Sequence, residues 1–214
     1  MSLLELARHR YSTKAYDDTH RIADAQIDSL LELARLTASS VNIQPWHFFV
    51  ASDLAGKTRI RPSVQGNFIA NDGKVMNASH VIVLCTRTSI DDAHLEALRA
   101  QEAADSRYHT EKAEHITQDI RTHNIAVNSD HIQTWLEKQT YIALGSLLLG
   151  AAEHGLDATP IEGFDRAILN EVLDLPRQGL SSTLIVTLGK HSPQDGNAKL
   201  PKSRLARDYV ITHL

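Results

Sequence analysis

The chain has 214 residues, of which 42% are hydrophobic and 22% charged, with a formal net charge of −4. That length and apolar content suit one globular core and exclude disorder, a collagen-like repeat and a small disulfide-stapled scaffold. Net acidity excludes binding to nucleic acid or an anionic membrane through overall charge, so any anion site must be built locally.

A helix is expected in the opening segment and another after Asp24, where Ile27, Leu30, Leu31 and Ala34 recur at the spacing of one buried face and Asp24 is placed as the cap. Residues 37–44 read as a polar loop, because Pro45 disfavours helix at the residue before it, and the loop feeds the aromatic run at 46–51, a β-strand. From 53 to 79 only short helical pieces are expected, since Pro62, Gly66 and Gly73 interrupt any long element. Residues 80–85 are apolar and β-branched, as a central strand covered on both faces would be. Residues 91–107 and 110–123 are polar and helix-compatible, and 131–154 form a long helix closed by Gly155. From Ile142 that helix is apolar on every face, which places it in the core or between subunits, with Gly145 and Gly150 permitting close approach. A short helix at 166–173 and a strand at 182–188 follow, and the segment from Gly189 onward lacks periodicity. Helices outnumber strands without regular βαβ alternation, so the expectation is one α+β domain over 1–214.

Several motifs fail on inspection. Gly56-Lys57-Thr58 has the end of a phosphate loop but not its first glycine, because that position is Ala51. No G-x-G-x-x-G occurs. The 12 histidines include no His-Glu-x-x-His and lie mostly in polar helical context, so no metal site is expected. Cys85, the sole cysteine, sits in an apolar strand and reads as a core residue. With no secretory signal evident, the expected compartment is the cytoplasm, and the sequon Asn77-Ala78-Ser79 goes unused. The apolar stretch at 141–152 is too short for a bilayer.

Two basic clusters are more informative: Arg10-Tyr11-Ser12-Thr13-Lys14 and Lys202-Ser203-Arg204. Each offers cationic and hydroxyl donors, the set a terminal phosphate needs, although either alone would equally be a solvated charge run. Between them stand the polar loop Ser39 to Gln44, the pair Asn71 and Lys74, and the turn Pro160 to Gly163, whose donors could read the polar edge of a heterocycle. Spacing alone leaves their convergence open.

Five blocks in this order carry a resemblance: Arg10-Tyr11-Ser12-Thr13-Lys14-Ala15; residues 39–48, SSVNIQPWHF; Gly66-Asn67-Phe68 with Asn71 and Lys74; residues 155–165, GLDATPIEGFD; and residues 200–205, LPKSRL. Over essentially the whole chain they resemble the oxygen-insensitive, FMN-dependent nitroreductases of the enteric type, and are similar also to the dihydropteridine reductase of that family. The resemblance implies a nitroreductase-like α+β fold, with a mixed, largely antiparallel central sheet flanked by helices, an intertwined homodimer, and a helical flap at about 91–130. It implies FMN as cofactor, NADH or NADPH as electron donor, and small acceptors such as nitroaromatics, quinones or a dihydropteridine, reduced by ping-pong hydride transfer, with neither nucleic acid nor membrane as partner. The alternatives are a reductase specialised for one metabolite and a non-catalytic flavin-binding protein.

The resemblance also implies roles. Positions matching Arg10, Ser12, Lys202 and Arg204 hold the FMN phosphate, and those matching Lys14, Asn71 and Lys74 contact the ribityl chain or the ring's polar edge. Ser39, Ser40 and Asn42 reach the flavin from the other subunit. Glu162 and Gly163 lie beside flavin N5, where the chemistry is the cofactor's own, assisted by Lys14 and Glu162. Val41, Phe68, Ala70 and His123 line the substrate pocket. Ala38 stands where proline is common, Val41 and Ala70 where threonine and phenylalanine are, and residues 120–125 replace the flap's aromatic. Arg121 or His123 is therefore expected to favour anionic or more polar acceptors.

Overall fold

A computed structural model describes residues 1–214. Helix α1 (Leu3–His9) opens with a reciprocal cap: the Ser2 side chain accepts from the Glu5 amide, and the Glu5 carboxylate accepts from the Ser2 amide at 2.6 Å. Helix α2 (Asp24–Arg35) buries Ile27, Leu30 and Ala34, the face its spacing predicts. Asp24 is its first helical residue and not its cap, which is Ala23 with no side-chain bond. The carboxylate acts instead on the positive end of the helix dipole.

Strand β1 (Trp46–Ala51) follows the loop as expected. Helix α3 (Leu54–Ile60), tight turns at Arg61–Val64 and Gly66–Asn71, and α4 (Asp72–Asn77) are the short pieces that proline and glycine predict. Strand β2 (His80–Arg87) is central. The polar helices are α5 (Asp92–Ala104) and α6 (Glu111–Val127), capped by Asp91 and Thr110. Helix α7 (Ile132–Glu153) ends at Gly155, whose φ of 65° is the left-handed conformation that closes it. Strand β3 (Asp157–Ile161), α8 (Arg166–Val172), β4 (Leu180–Gly189) and the short α9 (Arg207–Val210) complete the chain.

The four strands form one sheet in the order β1-β2-β4-β3, every neighbouring pair antiparallel. Its mixed character comes from one parallel bridge, Ser12 to Ala158. Strand β3 was not anticipated, because Pro160 argues against a central strand. It is tolerated since β3 has a full strand partner on one side alone.

Side chains alternate across β2, so Val81, Val83 and Cys85 join one core while Ile82 and Leu84 join the other. The first core is closed by Ile60, Val75 and Leu169 from α3, α4 and α8, the second by Ile27 and Leu30 of α2 and Leu147 and Ala151 of α7. Both sheet faces are therefore dry. Cys85 is a free, buried thiol, pushed up to about 12 by that burial. The register shifts between Leu84 and Cys85, leaving Thr183 opposite no residue. There Thr86 bonds both Thr183 and Thr140 of α7, so the bulge's polar group is satisfied inside the core.

A third cluster, Ile43, Leu98 and Leu136, with Leu95, Ile125 and Trp135 packed against it, ties α5, α6 and the start of α7 to the loop before β1. Gly150 permits the close approach of α7 to α2 that the sequence predicts: a Cβ there would lie 2.6 Å from Leu33 Cδ1 and 3.0 Å from Leu30 Cδ2. At Gly145 a Cβ would meet nothing within 4 Å. Gly150→Val should overpack the α2–α7 seam by about 1–3 kcal/mol and lower Tm by roughly 2–10 °C, read by thermal unfolding.

Candidate functional site

The site is assembled by the segment 10–16, which runs extended beside β3. Ser12 bridges Ala158, Thr159 Oγ1 donates to the Thr13 carbonyl at 2.5 Å, and Tyr16 bridges His191. On its other side the chain's late residues close over it: the Ser192 amide donates to the Ala15 carbonyl at 2.9 Å, and Asn197 Nδ2 to the Ser12 carbonyl at 2.9 Å. Tyr16 anchors the segment from below, its hydroxyl donating to the Thr187 carbonyl at 2.8 Å.

This pairing brings together groups almost the whole chain apart. Lys202 Nζ donates to the Arg10 carbonyl, and Arg10, Ser12, Lys202 and Arg204 line one cleft of about 560 Å³ with Tyr11, Asn197 and Ser203. Burial holds the Arg10 guanidinium below its ordinary range, and the nearby Arg204 lowers it further. Lys202 is lowered by burial and then by Arg10 and Arg204. None of the three is paired with a carboxylate. Three mutually repelling cations lining one cleft with no counter-charge form a site for a dianion such as a phosphomonoester.

A second polar cluster lies at the far end of the same segment. Lys74 is buried, donating to the Ala70 carbonyl and Asn71 Oδ1, both at 2.7 Å, and its ammonium is lowered by burial and by Lys14. Asn71 Nδ2 in turn donates to the Gly163 carbonyl at 2.8 Å. A Cβ at Gly163 would lie 2.9 Å from Asn71 Nδ2 and 3.5 Å from Phe68 Cδ1, so this turn requires glycine. The Gly163 amide donates to no protein acceptor. Beside it the Tyr141 hydroxyl of α7 donates to Glu162 Oε1 at 2.5 Å. Burial and then that carboxylate push the phenol up to about 12.

The structure thus gathers Arg10, Ser12, Lys202 and Arg204 at one end, and Lys14, Phe68, Ala70, Asn71, Lys74, Glu162 and Gly163 at the other. Ser39, Ser40, Val41 and Asn42 stand apart. The Ser40 amide donates to Gln139 Oε1 at 2.8 Å, and Asn42 Nδ2 to Glu102 Oε1 at 2.8 Å. Gln139 and Tyr141 are two positions apart on α7, about 200° around the helix, so the 39–42 turn and the Glu162 turn occupy different faces of α7.

His123 is exposed on α6 and makes no hydrogen bond or ion pair with either cluster. Arg121 cannot meet an anionic acceptor: its side chain is 0% exposed and its Nη2 is paired with Glu102 at 2.8 Å. The sequence reading missed Tyr141, Gln139 and Glu102, because the apolar or polar context of each helix gave no sign of what would pack against it. No three metal-ligating side chains converge, and no helix is long and apolar enough to cross a membrane.

A family model described as the nitroreductase family matches residues 7–190. The chain is 41% identical over 219 aligned residues, 100% of each chain, to a protein from Salmonella typhimurium named oxygen-insensitive NAD(P)H nitroreductase. It is 33% identical over 209 residues, 96% of this chain and 95% of the other, to the major NAD(P)H-flavin oxidoreductase of Aliivibrio fischeri. In structure it is similar to a protein of Exiguobacterium sibiricum assigned as a nitroreductase and crystallised with FMN, with a TM-score of 0.84 and 23% identity, covering 100% of this chain and 98% of that one. That last likeness speaks for the fold.

If the Arg10, Lys202 and Arg204 cleft binds a dianion, inorganic phosphate at about a hundred times its Kd should stabilise the apoprotein by roughly 2.7 kcal/mol. Thermal melts with and without phosphate at constant ionic strength should show the rise, and Lys202→Ala with Arg204→Ala should abolish it.

Proposed function

The chain belongs to the nitroreductase family, and on that premise we propose that it is an FMN-dependent NAD(P)H oxidoreductase reducing nitroaromatics, quinones or related acceptors by ping-pong hydride transfer. The observation that carries this is the extended segment 10–14, with an unpaired cationic cleft at one end and a cluster of Lys14, Lys74, Asn71 and the Gly163 turn at the other. An elongated ligand with a phosphate at one end and a polar heterocycle at the other satisfies both. The residues present therefore fit FMN. When bound, FMN supplies reversible two-electron chemistry between nicotinamide and acceptor.

Each protein group then has a defined task. Arg10, Lys202 and Arg204, with the Ser12 hydroxyl, take the phosphate, whose negative charge relieves their mutual repulsion. Lys14 and Lys74 put positive charge at the polar edge of the ring, favouring the state in which that edge carries negative charge. Asn71, held by Lys74, fixes the Gly163 carbonyl and so the turn, whose unused Gly163 amide would be free to donate to the ring. The Tyr141 hydroxyl donates to the Glu162 carboxylate beside this turn. No side chain forms a covalent bond, and the acceptor enters where the nicotinamide has left.

The active unit is a homodimer. Ser39, Ser40 and Asn42 lie on a different face of α7 from their own Glu162 turn, which supports their reaching the site of a second copy. Exposed apolar groups support the same reading: Ile142 on α7, and Tyr209, Val210, Ile211 and Leu214 in the tail. The enzyme works in the cytoplasm, consistent with its one free, buried thiol.

Purified protein should be yellow, bleach anaerobically with NADH or NADPH, and recolour on adding a nitroaromatic; a colourless protein that ignores added FMN defeats the proposal. Lys202→Ala with Arg204→Ala removes two charge-assisted bonds, about 3 kcal/mol or more, so FMN affinity should fall roughly a hundredfold or further, read by fluorescence titration. Sedimentation equilibrium should give a dimer, and a flavin-loaded monomer would contradict the shared site.

A further inference from the structure

The turn between α2 and β1 is strained. Val41, Asn42 and Gln44 have φ of 46°, 54° and 42°, the left-handed region that favours glycine. Asparagine tolerates that region, but β-branched valine does not. Such a conformation persists only where the surroundings over-determine it.

The surroundings here are mainly one buried polar network. Arg121 of α6 donates Nε to the Val41 carbonyl at 3.1 Å, Nη1 to Gln118 Oε1 at 3.0 Å and Nη2 to Glu102 Oε1 at 2.8 Å. Glu102 of α5 also accepts from Asn42 Nδ2 and from the Tyr108 hydroxyl. One guanidinium fork and one carboxylate therefore hold the carbonyl of Val41 and the side chain of Asn42 from two helices at once. The Arg121 and Glu102 side chains are 0% and 5% exposed.

A buried ion pair is poor value as cohesion, because desolvation offsets most of its attraction. Cohesion is in any case supplied nearby by Ile43, Leu98 and Leu136. What apolar packing cannot supply is direction: a planar fork fixes a carbonyl's position and angle, whereas methyl groups slide. We propose that Glu102 and Arg121 are positioning residues that lock Val41 and Asn42 in their strained conformation and thereby set how tightly the site takes its acceptor. This rests on the oxidoreductase reading, in which that turn reaches the shared site. Arg121 so acts on acceptors through Val41, without touching them.

The test compares the parent holoenzyme with Glu102→Leu/Arg121→Met, which exchanges the pair for apolar groups of similar length and keeps the cluster dry, and with Arg121→Lys, which keeps a cation but not the fork. Amide hydrogen exchange at Asn42, Ile43 and Gln44 is read alongside Tm, KM and kcat for a neutral nitroaromatic. The double variant strands the Val41 carbonyl, the Asn42 side-chain amide and the Tyr108 hydroxyl, so it should stay folded with a Tm several degrees lower, exchange the three backbone amides about tenfold faster or more at temperatures well below its Tm, and raise KM about tenfold with a smaller change in kcat. Arg121→Lys should fall between the two. Parental exchange and KM in a folded double variant would overturn the proposal; should that variant not fold, parental values in Arg121→Lys would overturn it equally. A parent that holds no FMN and does not bleach defeats the functional reading, and the exchange data then judge the positioning role alone.

Discussion

The rest of the site depends on the extended segment 10–16, which holds Arg10 in a cleft shared with Lys202 and Arg204, with no carboxylate paired to any of the three. The segment is anchored to β3 by the Ser12 bridge and the Thr159 hydroxyl, to the late chain by Ser192 and Asn197, and to the core by Tyr16. Each anchor is a neutral hydrogen bond in a partly or wholly dry setting, where leaving a partner unmade is expensive. The segment therefore keeps Arg10 fixed beside the exposed Lys202 and Arg204.

The sheet makes this possible by being buried on both faces. Because β2 and β4 supply side chains alternately to two cores, neither can slip in register without sending every side chain into the wrong core and undoing the packing of both. The one irregularity, the bulge at Thr183, is closed by hydroxyls from Thr86 and Thr140, which also fixes the middle of α7 against the sheet. That placement matters functionally, since α7 carries Tyr141 toward Glu162 on one side and Gln139 toward Ser40 on another. A single helix thus positions both turns, the Glu162 turn on one face and the 39–42 turn on another.

The two ends of the site are built on different physical terms. At the end carrying Arg10, Lys202 and Arg204, the groups are cations whose attraction for an anion needs little angular precision. At the other end, geometry dominates: a buried lysine at 74 and an asparagine at 71 fix the carbonyl of a turn that only glycine at 163 permits. The strained turn at 41–44 is likewise held by direction, through the buried Arg121 guanidinium on the Val41 carbonyl.

Much of this was legible in the residues. Periodicity located α2, α7, β1, β2 and β4, the scattered prolines and glycines marked the broken stretch before β2, and five ordered blocks pointed to the family and to the donors at each end of the site. Local chemistry determines such features, because a strand's alternation or a phosphate-binding set of donors is written within a few neighbouring positions. Pro160 concealed β3, since a missing N–H is harmful inside a sheet but harmless at its edge, and edge or interior is a property of the assembled sheet. Arg121 was misread for a related reason: a charged residue on a polar helix looks solvated until Glu102, 19 positions earlier, is folded against it. The sequence by itself determined which groups the protein possesses and which segments are helix or strand. Tertiary structure alone decided which cations stand unpaired together, which arginine is neutralised, and which turn is held under strain, because those depend on through-space distance and loss of water.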